Sequence, residues 1–149
     1  MFNNMSNMAG SDGGNISDKE LIKRQESVIA AFASDFHTIL FVDLDTNGIE
    51  VYQTNGDNDD WVFETAKLGF EEYKKRFSEK YIPLVERDQF MSDFSTKSIT
   101  NKLEDDPIFY VDHNLLKRGK VFRYQTKVVL DPVCTSGNRI LIGSHRTYN

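Results

Sequence analysis

The chain has 149 residues, 39% of them apolar, enough for one core and an appendage. Its formal net charge of -5, with both signs mixed, lacks the basic face that a nucleic-acid binder needs to displace counterions. No apolar run approaches the roughly 18–20 residues that span a bilayer, Met1-Phe2-Asn3-Asn4 does not open a secretory signal, and the single cysteine, Cys134, excludes an intrachain disulfide and any multi-cysteine metal site, so a reducing, cytoplasmic setting is expected.

Residues 1–16 are rich in Asn, Ser, Gly and Met without periodicity and read as a disordered leader. Ser17-Asp18-Lys19-Glu20 is a capping box, with Ser at the cap and Glu three residues on. The helix it opens is expected to run to about Ser34, within a segment 17–36. Leu21, Val28 and Phe32 share one stripe, and Ile22, Ile29 and Phe36 the next. Such an amphipathic helix must bury its stripe on the domain or on a second copy, which makes Leu21, Ile22, Val28, Ile29 and Phe32 the candidate dimer interface.

The period then changes. Thr38 to Leu44 is apolar and β-rich, Asp45-Thr46-Asn47-Gly48 is a turn with the strong Asn-Gly hairpin signal, and Ile49 to Tyr52 alternates. Asn55 to Asp60 is a polar loop. Helical periodicity returns at Trp61 and runs to Pro83, which ends the helix. Phe70, Tyr73, Phe77 and Tyr81 form its aromatic face, and Glu71–Lys75 and Glu72–Arg76 its exposed i,i+4 pairs. A short helix is expected around Phe90, Met91 and Phe94, and another around Ile99 and Leu103. Pro107 to Leu116 reads as a strand with Phe109, Val111, His113 and Leu115 on one face. Lys117-Arg118-Gly119-Lys120 is a turn, Val121 to Leu130 a strand, Asp131 to Asn138 a loop, and Arg139 to about Thr147 a final strand. Strand runs separated by a helical block indicate α+β with an antiparallel sheet, helices on one face and the other face open to the N-terminal helix or a partner.

Three segments resemble PAS domains. Ile39-Leu40-Phe41-Val42-Asp43-Leu44-Asp45-Thr46-Asn47-Gly48 is similar to the first PAS hairpin. Tyr81-Ile82-Pro83-Leu84-Val85-Glu86-Arg87-Asp88-Gln89-Phe90 resembles the segment where many PAS domains read His-Pro-Asp-Asp-Arg; Pro83 and Arg87 match in part and the His is absent. Ile140-Leu141-Ile142-Gly143 resembles the last strand, although Ser144-His145-Arg146-Thr147 stands where the family ends in Asp-Ile-Thr. The resemblance spans roughly residues 20–147 and is to bacterial PAS domains placed upstream of GGDEF cyclases or histidine kinases. It implies a five-stranded antiparallel sheet of order 2-1-5-4-3 in a sensor domain at 37–149, a pocket between sheet and helices, and dimerisation through the N-terminal helix.

Asp43-x-Asp45-x-Asn47-Gly48 imitates the start of a calcium loop, but the twelfth position is Thr54 and the flanks are strands, so a hairpin turn is the better reading. His37, His113 and His145 are the only histidines; each reads as a structural or surface residue before it reads as a haem ligand. Cys134 lacks the Asn-Cys-Arg-Phe-type run of flavin photosensors. No haem, flavin or metal motif, phosphate loop or nucleophile elbow is evident, so no cofactor is assigned and no catalytic residue named. Trp61, Phe70, Tyr73, Phe77, Phe109, His113 and Tyr124 are either filled core or the lining of a ligand pocket.

The expectation is a non-enzymatic sensory module that forms a homodimer, takes a small-molecule ligand and regulates an output domain or kinase partner, with no nucleic acid and no membrane segment. The alternatives are a small α+β enzyme or carrier with a true cavity, and a ligand-free dimerisation scaffold.

Overall fold

The computed structural model describes residues 17–56, 58–131 and 138–147. The expected leader and Cys134 with its loop lie outside them. The described chain divides between Asp35 and Phe36 into two units.

The first unit holds helix α1, Asp18–Ala33. Ser17 is extended at the cap, and its Oγ accepts a hydrogen bond from the Glu20 N–H at 3.2 Å. That bond satisfies one of the backbone donors a helix start leaves unpaired. Leu21 and Val28 are half-buried, whereas Ile22, Ile29 and Phe32 are exposed.

The second unit begins with β1 (Thr38–Asp43) and β2 (Gly48–Thr54). Four helices follow: α2 (Asp59–Ala66), α3 (Phe70–Tyr81), α4 (Arg87–Asp93) and α5 (Thr96–Asp105), with a 3-10 turn at Leu84–Glu86. Strands β3 (Ile108–Lys117), β4 (Lys120–Leu130) and β5 (Arg139–Arg146) close the unit. All five strands form one antiparallel sheet in the order β2-β1-β5-β4-β3, the order implied by the PAS resemblance.

The alternation of each strand decides which face is covered. Leu40, Val42, Val111, Leu115, Tyr124, Val128 and Ile140 are buried and join Val62, Phe70, Tyr73, Tyr81, Ile82, Phe90, Phe94 and Ile99 from the helical block in one core. Both hairpins turn where the backbone enters the left-handed region. Asn47 sits at φ 66 before Gly48, and Arg118 and Gly119 sit at φ 53 and φ 74, so Lys117 pairs with Lys120 across a two-residue turn. The Asp43 carboxylate accepts from the Asp45 and Thr46 N–H groups, so the calcium-like run is spent on turn geometry.

The helical stretch expected from Trp61 to Pro83 is instead two helices. Gly69, at φ 93 and ψ 167, breaks it in a conformation open essentially to glycine alone. The reason lies in the first hairpin. Asn47 O accepts from the Phe70 N–H, and Asn47 Oδ1 from the Glu71 N–H, each at 2.8 Å, so a residue 24 positions before Glu71 caps α3. A Cβ on Gly69 would stand 2.5 Å from Asn47 Nδ2. Two further expectations are corrected. Glu71 pairs with Lys74 at i,i+3 rather than with Lys75, because Lys74 points inward; the Glu72–Arg76 pair forms as expected, at 2.9 Å. Helix α4 ends at Asp93, leaving Phe94 at its C-cap.

Replacing Gly69 by alanine therefore strains the backbone and crowds Asn47. We expect Gly69→Ala to lower unfolding stability by about 1–3 kcal/mol in urea titrations, with an unchanged denaturant slope.

Candidate functional site

The helical block does not fill the sheet face completely. A cavity of about 780 Å³ lies between them, lined from the sheet by residues of all five strands and from above by α2, α3 and α4. The size falls in the range of small-molecule sites, roughly 300–1,000 Å³.

Its walls are a continuous run of rings. On α3, residues at steps of three and four place Tyr73, Phe77 and Tyr81 along one face, and Trp61 of α2 leans over all three at centroid distances of 5.5, 6.3 and 5.6 Å. Phe77 stacks on Phe90 at 5.6 Å, Phe90 meets His113 edge-on at 5.8 Å, and His113 stacks on Tyr124 at 6.4 Å. The rings thus pass from the helices down to the sheet.

Polar groups interrupt this lining. His113 is 8% exposed, and its Nε2 lies 2.6 Å from Thr126 Oγ1. Its Nδ1 is buried and has no hydrogen-bond partner of normal geometry among the described residues. Of the structural and surface readings, His113 takes the structural one: it is buried on β3. Burial pushes its pKa down to about 4, assisted by the Arg123 charge and opposed by the Asn114 backbone, Asp112 and Glu86. The imidazole is neutral at physiological pH. Lys74, 4% exposed, donates to Glu71 at 2.8 Å and to the Phe94 carbonyl at 2.9 Å, and lies 4.4 Å above the Phe70 ring. Asp59 accepts from Thr54 Oγ1 and from the Gly56 N–H, each at 3.0 Å, which ties the end of β2 to the start of α2.

One end of the cavity is cationic. Lys117 Nζ donates to the Tyr124 hydroxyl at 3.1 Å and stands 5.6 Å from the Tyr81 ring. Lys80 Nζ stands 5.5 Å from the same ring and 6.0 Å from Trp61. The Tyr81 hydroxyl accepts from Asn58 Nδ2. Burial raises the pKa of Tyr81, against the Asn58 hydrogen bond and with the help of Tyr124; burial likewise raises Tyr73, with Tyr81 adding to it. These phenols are neutral hydrogen-bonding groups.

Of the seven residues named from the sequence, Trp61, Phe70, Tyr73, Phe77, His113 and Tyr124 line the cavity, and Phe109 does not. Phe109 packs under the Lys102 ammonium at 4.9 Å. Several lining residues went unnamed although a signal for them existed. Lys74 sits between Tyr73 and Phe77 on the helix stripe, and Lys117 continues the Val111, His113, Leu115 parity of β3. Thr126 likewise continues the parity of Tyr124 on β4, whereas Lys80 and Asn58 carried no such signal, because tertiary approach brings them in. His37 also lines the cavity, and His145 meets Phe36 edge-on at 5.6 Å. Among the described residues no group of three His, Cys, Asp or Glu side chains converges as a metal site, and no helix is long and apolar enough to cross a membrane.

No family model and no curated protein matches the chain. Among solved structures, the chain is similar to the PAS domain of BvgS from Bordetella pertussis, at 11% identity over 85% of this chain and 87% of that one, with a TM-score of 0.38. It is also similar to the PAS domain of an HTR-like protein from Haloarcula marismortui, at 17% identity over 87% of this chain and 99% of that one, with a TM-score of 0.34.

The titration of His113 has a measurable consequence. Its pKa lies below the usual 6.5, so the neutral form stabilises the fold; that contribution is complete above pH 6.5 and is lost as pH falls towards 4. The full linkage is of order 3 kcal/mol. In thermal unfolding from pH 7 to pH 4, His113→Asn is expected to lose less stability than the parent chain, and parallel curves for the two would contradict this.

Proposed function

We propose that the chain is a PAS-type sensory module that takes a small molecule into the cavity between helices and sheet and regulates an output domain, such as a diguanylate cyclase or histidine kinase, joined or bound to it. The single observation that carries this reading is the cavity: about 780 Å³, walled by aromatic rings and provided with a few polar groups at fixed positions. The five-strand order with helices on one face supports it, as does the PAS resemblance of the first hairpin and last strand. Activity of its own is not part of the proposal, and the setting is cytoplasmic. The ligand acts by favouring one packing of α2–α4 over another, since only differential affinity for two arrangements shifts their populations.

Native mass spectrometry of the purified chain, with a thermal-shift screen of metabolites, tests this. A retained small molecule, or a stabilisation of about 2.7 kcal/mol at a hundredfold excess over the dissociation constant, is the expected result. A bare mass and a flat screen would leave a ligand-free scaffold.

We further propose that α1 mediates homodimerisation. The exposed Ile22, Ile29 and Phe32 on a capped helix support this. Light scattering after size exclusion is expected to give a dimer mass for the parent and a monomer mass for Ile22→Glu with Ile29→Glu. A monomeric parent would rule the dimer out.

A further inference from the structure

The cavity lining has a charge that the rest of the chain does not. Among the described residues that line it, six are lysine or arginine and one, Asp59, is acidic, in a chain whose formal net charge is -5. Asp59 is already engaged by Thr54 and Gly56, so its charge is locally committed. The cations are not scattered. Lys80 and Lys117 flank the Tyr81 ring at 5.5 and 5.6 Å, and Lys117 also reaches the buried Tyr124 hydroxyl. Neither lysine has a carboxylate within ion-pair distance among the described residues. Lys80 is exposed and Lys117 half-buried, so the two ammonium groups stand where the ring-lined chamber meets solvent, and an anion entering it would meet both. The remainder of the chamber offers flat π surfaces, from Trp61 through Phe77 and Phe90 to His113, spaced at 5.6–6.3 Å between successive ring centroids.

Resting on the sensory reading above, we propose that the ligand is an aromatic anion of the carboxylate class, its charge held by Lys80 and Lys117 and its ring lying among Trp61, Phe77 and Phe90. Lys117 carries the carboxylate at the Tyr124 end, with the Tyr81 and Tyr124 hydroxyls as hydrogen-bonding partners. A cationic ligand would be repelled by the two lysines, and a neutral one would gain nothing from their charge.

Trp61 is the only tryptophan of the chain and lines the cavity, so its fluorescence reports occupancy. The intact chain is titrated with three probes on one skeleton: 4-phenylbutyrate, the neutral 4-phenylbutyramide and the cationic 4-phenylbutylamine. The carboxylate is expected to change Trp61 emission and to bind more tightly than the other two. Lys117→Met or Lys80→Met is expected to weaken it about tenfold, the loss of one charged contact. Lys80 is exposed, so its variant serves if Lys117→Met fails to fold. Equal or tighter binding of the amide or amine overturns the anion assignment while leaving a ligand cavity in place. Carboxylate binding that both variants leave unchanged overturns the lysine assignment. Silence of Trp61 towards all three probes overturns the aromatic-anion proposal and weighs against the cavity as a ligand site.

Discussion

The pairing of β1 with β5 is the constraint on which the second unit depends. It joins Thr38–Asp43 to Arg139–Ser144, two segments separated by almost the whole unit, with Leu40 opposite Ile142 and Val42 opposite Ile140. Val42, Val128 and Ile140 are among the most deeply buried side chains, so the seam is also the centre of the core. Because β1 carries β2 on one side and β5 carries β4 on the other, a slip of one residue at this seam would turn the core face outward across the sheet. Phe36 packs closely on this seam: a Cβ on Gly143 would stand 2.8 Å from its ring, so the missing side chain lets the ring lie against the strand.

The helical block is held over this sheet by few fixed points, and they come from the sheet. Asn47, in the β1–β2 turn, caps α3; Asp59 fastens α2 to the end of β2; Asn114 of β3 donates to both carboxylate oxygens of Glu86 at 3.2 Å. Between those points the contacts are aromatic and broad. Ring against ring fills volume without fixing a single geometry as tightly as a hydrogen bond does, which suits a chamber wall better than a close-packed core.

The cavity is lined by polar side chains as well as by rings. A void lined only by aliphatic groups loses contacts and gains nothing. Here Lys74, Thr126 and His113 are buried with specific partners, and the lysine end is left with charge to offer. Those groups cost desolvation free energy that a ligand-free core would avoid. On the proposed reading, an anionic ligand would give Lys80 and Lys117 the counter-charge that no described carboxylate supplies.

The local elements were legible in the sequence because they depend on neighbours along the chain. The Ser17 cap, the Asn47-Gly48 and Arg118-Gly119 turns, the aromatic stripe of α3 and the parity of β3 all follow from spacings of two to four residues. The sheet order came from the PAS resemblance and not from those spacings. What only the tertiary structure decided involves residues far apart: the break at Gly69, set by Asn47; the inward turn of Lys74, set by the Phe94 carbonyl; and the meeting of Lys80 with Lys117 around Tyr81. Periodicity shows which face of an element is covered, but the partner atom that captures a charge or demands a glycine is fixed only when the helices close over the sheet.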